Sequence, residues 1–581
     1  MKPELLRGSR SRILAGLLLV IASIFIIRLF YLQVIQHSHY TALANAEQIK
    51  RERLPATRGE IYALSGDTPV KLVLNETVYT VFADPAIISD DDKVISELNG
   101  IIGGNMVNNA AKLLENKKSR YAIIAHKVTR KQAEKIKEKD LAGIGFQAVS
   151  QRVYPEGNMA AQTLGFVNAD GVGNYGIEGY LNDRLAGVDG RLETVTDVSD
   201  VPLTIGDRNI SEPAVNGENV VLSMDRNIQS KVEEVAKTYG DRFKAGNVSV
   251  LVMNPNNGKV MALANYPSYN PAKYYEVTNP ALFNNKAVSI PYEPGSDMKT
   301  YTMATAIDKN VARASDTFVN TDYIRVADRT ITNAYKGITG RITYQTAMNW
   351  SLNTGFVTLG MRLGNGDEIT DQARKTIYEY FHDRFRLGQI TGIELANEAK
   401  GIVIPPTDAD GNAVRYSNMT FGQGLDATMI QVSAGFSAII NGGHYYKPTI
   451  ISGKMVDGSY EEAPTPKPIE SGVVQASTSK QIREMTRNAR QFSFSGLDKA
   501  GYYVGGKTGT SQVIKNGQYA DDETIATYLG YGGGSVDTPE YVIMVSVSGD
   551  HKTFGGAQHA MPIFTQVSNW LLDYLKIQPK G

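Results

Sequence analysis

Tyr292-Glu293-Pro294-Gly295-Ser296-Asp297-Met298-Lys299 sets a serine at a helix start and a lysine one turn later. Positions i and i+3 of a helix lie on one face, so Lys299 reaches the hydroxyl of Ser296. Serine is a poor nucleophile until a neighbouring base takes its proton, and an uncharged lysine is such a base. Ser-x-x-Lys alone arises by chance roughly once or twice in a chain this long. Without company, Ser296 reads equally as a helix N-cap. The companions therefore decide the reading.

The first is Ser351-Leu352-Asn353, 55 residues further on and followed by Thr354-Gly355. A hydroxyl and an amide two residues apart face one cleft from a loop between helices. The hydroxyl suits proton relay, and the amide suits holding a carbonyl or orienting the lysine. The second is Gly505-Gly506-Lys507-Thr508-Gly509-Thr510-Ser511, another 156 residues on from Ser351. Lys-Thr-Gly-Thr arises by chance in roughly a few per cent of chains this size. It follows Tyr502-Tyr503-Val504 and reads as an edge strand, whose small residues let a peptide backbone approach and add as an extra strand. Lys507 offers fixed positive charge for a carboxylate, and Thr508 and Thr510 offer hydroxyls. Ser-x-x-Lys, Ser-x-Asn and Lys-Thr-Gly in this order are the set of serine β-lactamases and penicillin-binding proteins.

Composition limits the alternatives. The 581 residues are 42% hydrophobic and 21% charged, a folded chain of several domains. Lys+Arg and Asp+Glu are equal at 60 each, without the basic excess of a nucleic-acid binder. The absence of cysteine excludes disulfides, thiolate catalysis and cysteine-ligated metals. Seven scattered histidines show no ligand spacing, so no metal or other cofactor is expected. His126, His382, His444, His551 and His559 read as surface or packing residues, and Trp350 as a packing anchor.

At the N-terminus, Lys2, Arg7, Arg10 and Arg12 stand against one acid, Glu4. Residues 13–35 are apolar except for Arg28, long enough to span a bilayer as a helix, with Arg28 near enough to the far end to snorkel. The basic leader predicts a cytoplasmic N-terminus and an extracytoplasmic remainder. Ala42-Leu43-Ala44 looks like a signal-peptide cleavage site, but the apolar stretch is too long and the site too far beyond it, so an uncleaved anchor is expected. Residues 36–57 read as a polar helix (Tyr40, Leu43, Ala46, Ile49). Strands are expected at 70–74 and 78–82. Residues 91–142 show charged helical periodicity, with a strand at 120–125. The run 210–219, holding Pro213 and Asn216-Gly217, is the best domain boundary. A strand at 220–224, a helix around 228–239 and a hairpin through Asn256-Asn257-Gly258 open an α/β core, and residues 461–470 read as an exposed loop.

With these motifs in place the chain resembles a class B penicillin-binding protein, a monofunctional D,D-transpeptidase of bacterial cell-wall synthesis. Arg58-Gly59-Glu60-Ile61, the segment from Arg152 to Gly165, and that from Gly176 to Gly190 resemble the family's pedestal motifs. Pro267-Ser268-Tyr269-Asn270-Pro271, Gly422-Gln423-Gly424, Thr428 and Gln431 resemble its transpeptidase core. Asn285-Lys286 and Asp297 depart from it; the latter position is often Thr. The resemblance implies an α+β chain in four parts: a cytoplasmic tail (1–12), a transmembrane helix (13–35), an elongated α/β pedestal of the dimerisation type (36–215), and a transpeptidase domain (216–581) around a five-stranded, mainly antiparallel sheet flanked by helices.

The resemblance further implies Ser296, Lys299, Ser351, Asn353 and Lys507 as catalytic residues and Thr508, Gly509 and Thr510 as substrate-binding ones. The substrates implied are peptidoglycan stem peptides, a D-Ala-D-Ala donor and an amine acceptor, with β-lactams as covalent inhibitors. The oxyanion would sit on the backbone N–H groups of Ser296 and Thr510. A polytopic glycosyltransferase and divisome or elongasome proteins are the implied partners. Septal use is expected, on the compact pedestal. Lateral-wall use, or a D,D-carboxypeptidase, β-lactamase or β-lactam sensor, are the alternatives.

Overall fold

The computed structural model describes residues 7–40, 49–195, 210–515 and 517–580. By packing, the chain forms two compact units. One holds the residues up to Thr57 together with Gly187–Gly217, and the other holds Arg58–Ala186 together with Glu218–Gly581.

In the first unit, helix Arg7–Phe30 continues into a π-helical turn at Tyr31–Ile35. The stretch Arg10–Ile35 has a mean hydropathy of 2.7 and none of it is buried. Its 26 residues rise roughly 39 Å, enough for a hydrocarbon core of about 30 Å. The Arg28 guanidinium lies 5.6 Å from the Tyr31 ring centre. The expected polar helix over 36–57 is corrected at its end, because Ile49–Leu54 is a strand. It pairs antiparallel with Gly190–Val195, which pairs with Ile210–Glu212. Lys50-Arg51-Glu52-Arg53 has no apolar period of its own, so a partner far along the chain decides its conformation. Lys2, Glu4, Ala42-Leu43-Ala44 and Ala46 lie outside the described residues.

The second unit holds a seven-stranded sheet. Ile61–Ser65, Thr68–Ala83, Ala122–Thr129 and Ile144–Val153 join Asn219–Asp225, Ile451–Val456 and Ser459–Glu462. Ile61–Ser65 runs parallel to Asn219–Asp225, and the other pairings are antiparallel. The strand expected at 220–224 therefore forms, but in this sheet and not in the catalytic one. The two strands expected at 70–74 and 78–82 are one, Thr68–Ala83. Ser459–Glu462 likewise makes the start of the expected 461–470 loop a strand end.

Three segments singled out in the sequence meet around one acid. Glu178 is fully buried and pairs with Arg58 at 2.6 Å and with Arg152 at 2.7 Å, both of whose side chains are almost wholly buried. Arg58 also donates to the Asn182 side chain, and Arg152 to that of Asn75.

The catalytic sheet consists of β1 (Asn247–Met253), β2 (Val260–Tyr266), β3 (Tyr503–Lys515), β4 (Gln518–Ser535) and β5 (Thr538–Ser548). Its order is β2-β1-β5-β4-β3, antiparallel throughout, with β3 at an edge. Successive strand residues face opposite sides, and here both sides are buried. Val248, Val250 and Val252 join a core with α1 (Arg226–Phe243) and the C-terminal helix Met561–Tyr574. Leu251 and Met253 join the other core, with α2 (Met298–Asp308). This explains why these strands are almost continuously apolar. Every residue of α2 is buried, as is every residue of Met429–Ile440. The latter starts on a capping box of Thr428 and Gln431, which accounts for those two residues in the sequence pattern.

Candidate active site

Ser296 sits in a 3-10 turn, Gly295–Asp297, that leads into α2. Two strips of backbone clamp it. Tyr292 and Ala427 exchange hydrogen bonds of 3.1 and 3.0 Å, and Gly295 N–H donates to Gly422 O at 2.9 Å. Gly422 has φ of +94°, and a Cβ there would fall 1.8 Å from Gly295 O. Only glycine permits this approach, which gives Gly422-Gln423-Gly424 its purpose. Glu293 adds to the clamp by accepting from Gly424 N–H at 2.6 Å and Tyr519 O–H at 3.0 Å.

Lys299 lies one turn after Ser296 with its ammonium position buried. Its Nζ is 2.9 Å from Ser296 Oγ, 2.7 Å from Ser351 O, 3.0 Å from Ser351 Oγ and 2.8 Å from Asn353 Oδ1. Two of these four atoms are carbonyl oxygens, which only accept. A neutral amine gives them its two N–H groups and keeps its lone pair for a hydroxyl proton. Burial first, and the charge of Lys507 second, push Lys299 well below the ordinary lysine range. The same geometry and the same shift favour a base.

Helices Tyr344–Trp350 and Asn353–Arg362 present the Ser-x-Asn pair from the bend between them. Ser351 caps the first helix in the left-handed region, φ +55° and ψ +43°. That conformation is uncommon for a serine and persists where surroundings enforce it. It aims the carbonyl and hydroxyl of Ser351 together at Lys299. Asn353 is anchored by donating to Thr332 O at 2.9 Å. Lys507 Nζ donates to Ser351 Oγ at 2.9 Å and to Thr508 O at 3.0 Å. Burial lowers Lys507 to about 8, with Asp297 opposing that fall.

The cleft over these groups measures about 360 Å³ and is lined by Ser296, Ser351, Asn353, Thr508 and Thr510, among others. All the expected catalytic residues converge here, although Ser351 and Lys507 stand far from Ser296 in sequence. Gly509 also lies on β3, with its Cα side turned to Asp297 and Thr527. Thr510 Oγ1 accepts from Gly556 N–H at 3.1 Å. The loop around Gly556, and Tyr335, belong to the cleft without having been singled out in the sequence. Behind Asn353, the buried Asn320, Asn333 and Thr354 form a polar network, in which Thr354 N–H and O–H both reach Asn333 Oδ1.

Trp350 is half-buried and packs edge-on against Tyr335 and Phe492. His382 stacks on Tyr378, and His559 meets Phe243 and Phe554 edge-on. Asp522, Glu523 and His551 lie close together, a grouping that sequence spacing did not reveal. They are committed to one another and to Lys515.

A serine in contact with a buried lysine, a second serine between two lysines and an edge strand make up the arrangement of a serine acyltransferase. Comparison with known proteins agrees. Residues 248–569, more than half of the chain, match the "Penicillin binding protein transpeptidase domain", and residues 53–222 match the "Penicillin-binding Protein dimerisation domain". The chain belongs to the penicillin-binding proteins, in the monofunctional class B arrangement with one N-terminal apolar helix. It is 30% identical to stage V sporulation protein D of Bacillus subtilis, over 98% of this chain and 87% of that one. It is 25% identical to the peptidoglycan D,D-transpeptidase FtsI of Escherichia coli, over 98% and 92%. Among solved structures, penicillin-binding protein 3 of Mycobacterium tuberculosis complexed with aztreonam superposes with a TM-score of 0.67 at 26% identity, covering 91% of this chain and 98% of that one.

Proposed function

We propose that this enzyme cross-links peptidoglycan stem peptides through an acyl-enzyme on Ser296. The observation that carries the reading is the contact of Lys299 Nζ with Ser296 Oγ at 2.9 Å, with two carbonyl oxygens holding the same amine. Lys299 takes the Ser296 proton as Oγ attacks the carbonyl between two terminal D-alanines. The backbone N–H groups of Ser296 and Thr510 carry the oxyanion, as preorganised donors do in acyl transfer. Lys507, Thr508 and Thr510 hold the terminal carboxylate while the donor peptide lies along β3 over Gly509. Ser351, between the two lysines, relays the proton held by Lys299 to the leaving D-alanine amine, and the amide bond gives way to a serine ester. The amine of a neighbouring stem peptide then attacks the ester, a new amide forms, and Ser296 recovers its proton through Lys299.

A β-lactam offers the same carbonyl and carboxylate in a ring whose leaving group stays tethered. Incubation with benzylpenicillin is expected to add one drug mass to the protein, mapped by peptide mass spectrometry to the segment holding Ser296. No adduct, or an adduct elsewhere, overturns the assignment.

The N-terminal helix anchors the chain with its basic end, Lys2 to Arg12, in the cytoplasm and the catalytic unit outside. This orientation meets a substrate that exists only on the outer face. Residues 36–215 serve as the pedestal and 216–581 as the transpeptidase domain. We further propose a polytopic glycosyltransferase of the membrane as the partner that supplies the glycan strands. We place the activity at the septum, on the short non-catalytic segment and the likeness to FtsI along most of the chain. A fluorescent fusion is expected to concentrate at midcell during division; exclusion from midcell removes the septal reading.

A further inference from the structure

Among the buried ionisable groups that the chemistry above does not use is the carboxyl of Asp297. It has no solvent exposure, and neither of its oxygens has a hydrogen-bond partner. The 3-10 turn that presents Ser296 to the cleft sends Asp297 the other way, against β3. There it occupies a hollow that exists because residue 509 is glycine. A Cβ at 509 would fall 3.0 Å from Asp297 Cγ and 2.1 Å from Thr527 Oγ1, itself buried without a partner. Lys507 and Gly509 are two residues apart on one strand and so share a face. Lys507 is almost wholly buried, and its Nζ meets only uncharged oxygens, those of Ser351 and Thr508. Among the described residues no carboxylate lies within 4.0 Å of it. A buried ammonium without a counter-charge tends to lose its proton.

We propose that Asp297 is a positioning counter-charge for Lys507, a carboxyl seated over Gly509 that keeps Lys507 cationic as pH rises and so preserves the charge that meets the ligand's carboxylate. This rests on the reading of Ser296 as the acylated serine and Lys507 as the carboxylate's partner. The surroundings leave the pair electrostatically alone. The ionisable groups facing it are Lys299 and Tyr301 on α2, Tyr292 before the turn and Tyr528 on β4. Burial pushes all three tyrosines up, so they stay neutral, and pushes Lys299 down towards neutrality. Burial raises Asp297 to about 7, while the Thr527 hydroxyl and then Lys507 oppose that rise. Lys507 falls to about 8 with Asp297 supporting its charge. Two groups that close titrate as a pair: as Asp297 ionises, the negative charge delays proton loss from Lys507. Asp297 thus sets the alkaline limit of acylation without touching the substrate.

The test is the rate of acylation of the full chain in detergent by a fluorescent penicillin, followed from pH 5.5 to 9.5 for wild type, Asp297→Asn and Asp297→Thr. The rate of wild type is expected to fall off near pH 8. Both variants are expected to fall off earlier, by on the order of one pH unit, because Lys507 has lost its counter-charge. The shape of the profile is the readout, not its height. Alkaline limbs that coincide with wild type overturn the proposal. So does a slowing by the same factor at every pH, the mark of a merely structural residue. Threonine, small, uncharged and still able to hydrogen-bond, carries the test if the asparagine variant does not fold. Failure of the wild type to label at all strikes the acylation reading instead.

Discussion

Lys299→Ala is expected to slow acylation of Ser296 by roughly 10³-fold or more, with the protein still folded and its cleft intact. General-base catalysis is worth about 10²–10⁴-fold, and no other group in the site is placed to supply it. Lys507 Nζ is directed at Ser351 and Thr508, and no histidine or carboxylate contacts Ser296 Oγ among the described residues. The amine is held by Ser351 O and Asn353 Oδ1 as well as by the nucleophile, so its position does not depend on ligand. Lys299→Arg discriminates base from cation. A guanidinium keeps positive charge and several donors but does not deprotonate in a protein. If Lys299 acts as the base, arginine is as inactive as alanine; if it serves only as a positive charge, arginine restores activity. Rates with a fluorescent penicillin at pH 7.5, compared with circular dichroism of each variant, check both points. A loss under tenfold in the alanine variant removes Lys299 from the base role. Asn353→Ala, which removes one of the two carbonyl-type acceptors of Lys299, then tests orientation by the same measurement.

The site was legible where chemistry is local and partly opaque where it depends on packing. Ser296 and Lys299 are related by a single helical turn, so their contact follows from the sequence. Ser351 and Lys507 were legible as motif members, but the hydrogen bond between them spans 156 residues and is a product of the fold. Asp297 illustrates the opposite case. An aspartate at a helix start ordinarily caps in solvent, and nothing local announces that this one faces a glycine in a buried strand. The same holds for Asn320 and Asn333, which no local signal singles out yet which support Thr354 behind the active site. At the level of fold, β1 and β2 were visible as a hairpin about Asn256-Asn257-Gly258 and β3 as an edge strand, whereas β4 and β5 were not singled out. The parallel pairing of Ile61–Ser65 with Asn219–Asp225 was not, because parallel neighbours are joined by long connections and carry no turn signal. Ile49–Leu54 escaped for a related reason: its charged pattern has neither helical nor strand period, and its partners lie far along the chain.

Glu178→Ala is expected to destabilise the second unit by about 3–5 kcal/mol, the cost of removing one partner from a buried ion pair. The estimate is at the severe end because Glu178 serves two arginines. Its Oε2 takes Arg58 and its Oε1 takes Arg152, in a site where Glu178 has no solvent exposure. Truncation leaves two guanidinium groups facing each other without a counter-charge, still tied to Asn182 and Asn75. Water has little room to compensate: a Cβ at Gly173 would fall 2.0 Å from Glu178 O and 2.5 Å from Arg58 Nη2. Glu178→Gln retains shape and some hydrogen bonding but not charge, and is expected to recover only part of the loss. Arg58→Met or Arg152→Met is expected to be milder, since each leaves one arginine paired with the acid. The order of thermal stability should therefore run wild type, single arginine variants, glutamine, alanine. Differential scanning calorimetry of detergent-solubilised protein supplies that order, and penicillin labelling of the folded fraction supplies the control. Glu178 touches no group of the cleft, so the acylation rate of molecules that remain folded should match wild type. If Glu178→Ala melts with wild type, the cluster is not a stabilising junction. If it melts normally but labels slowly, Arg58, Arg152 and Glu178 act on the active site and not on the fold.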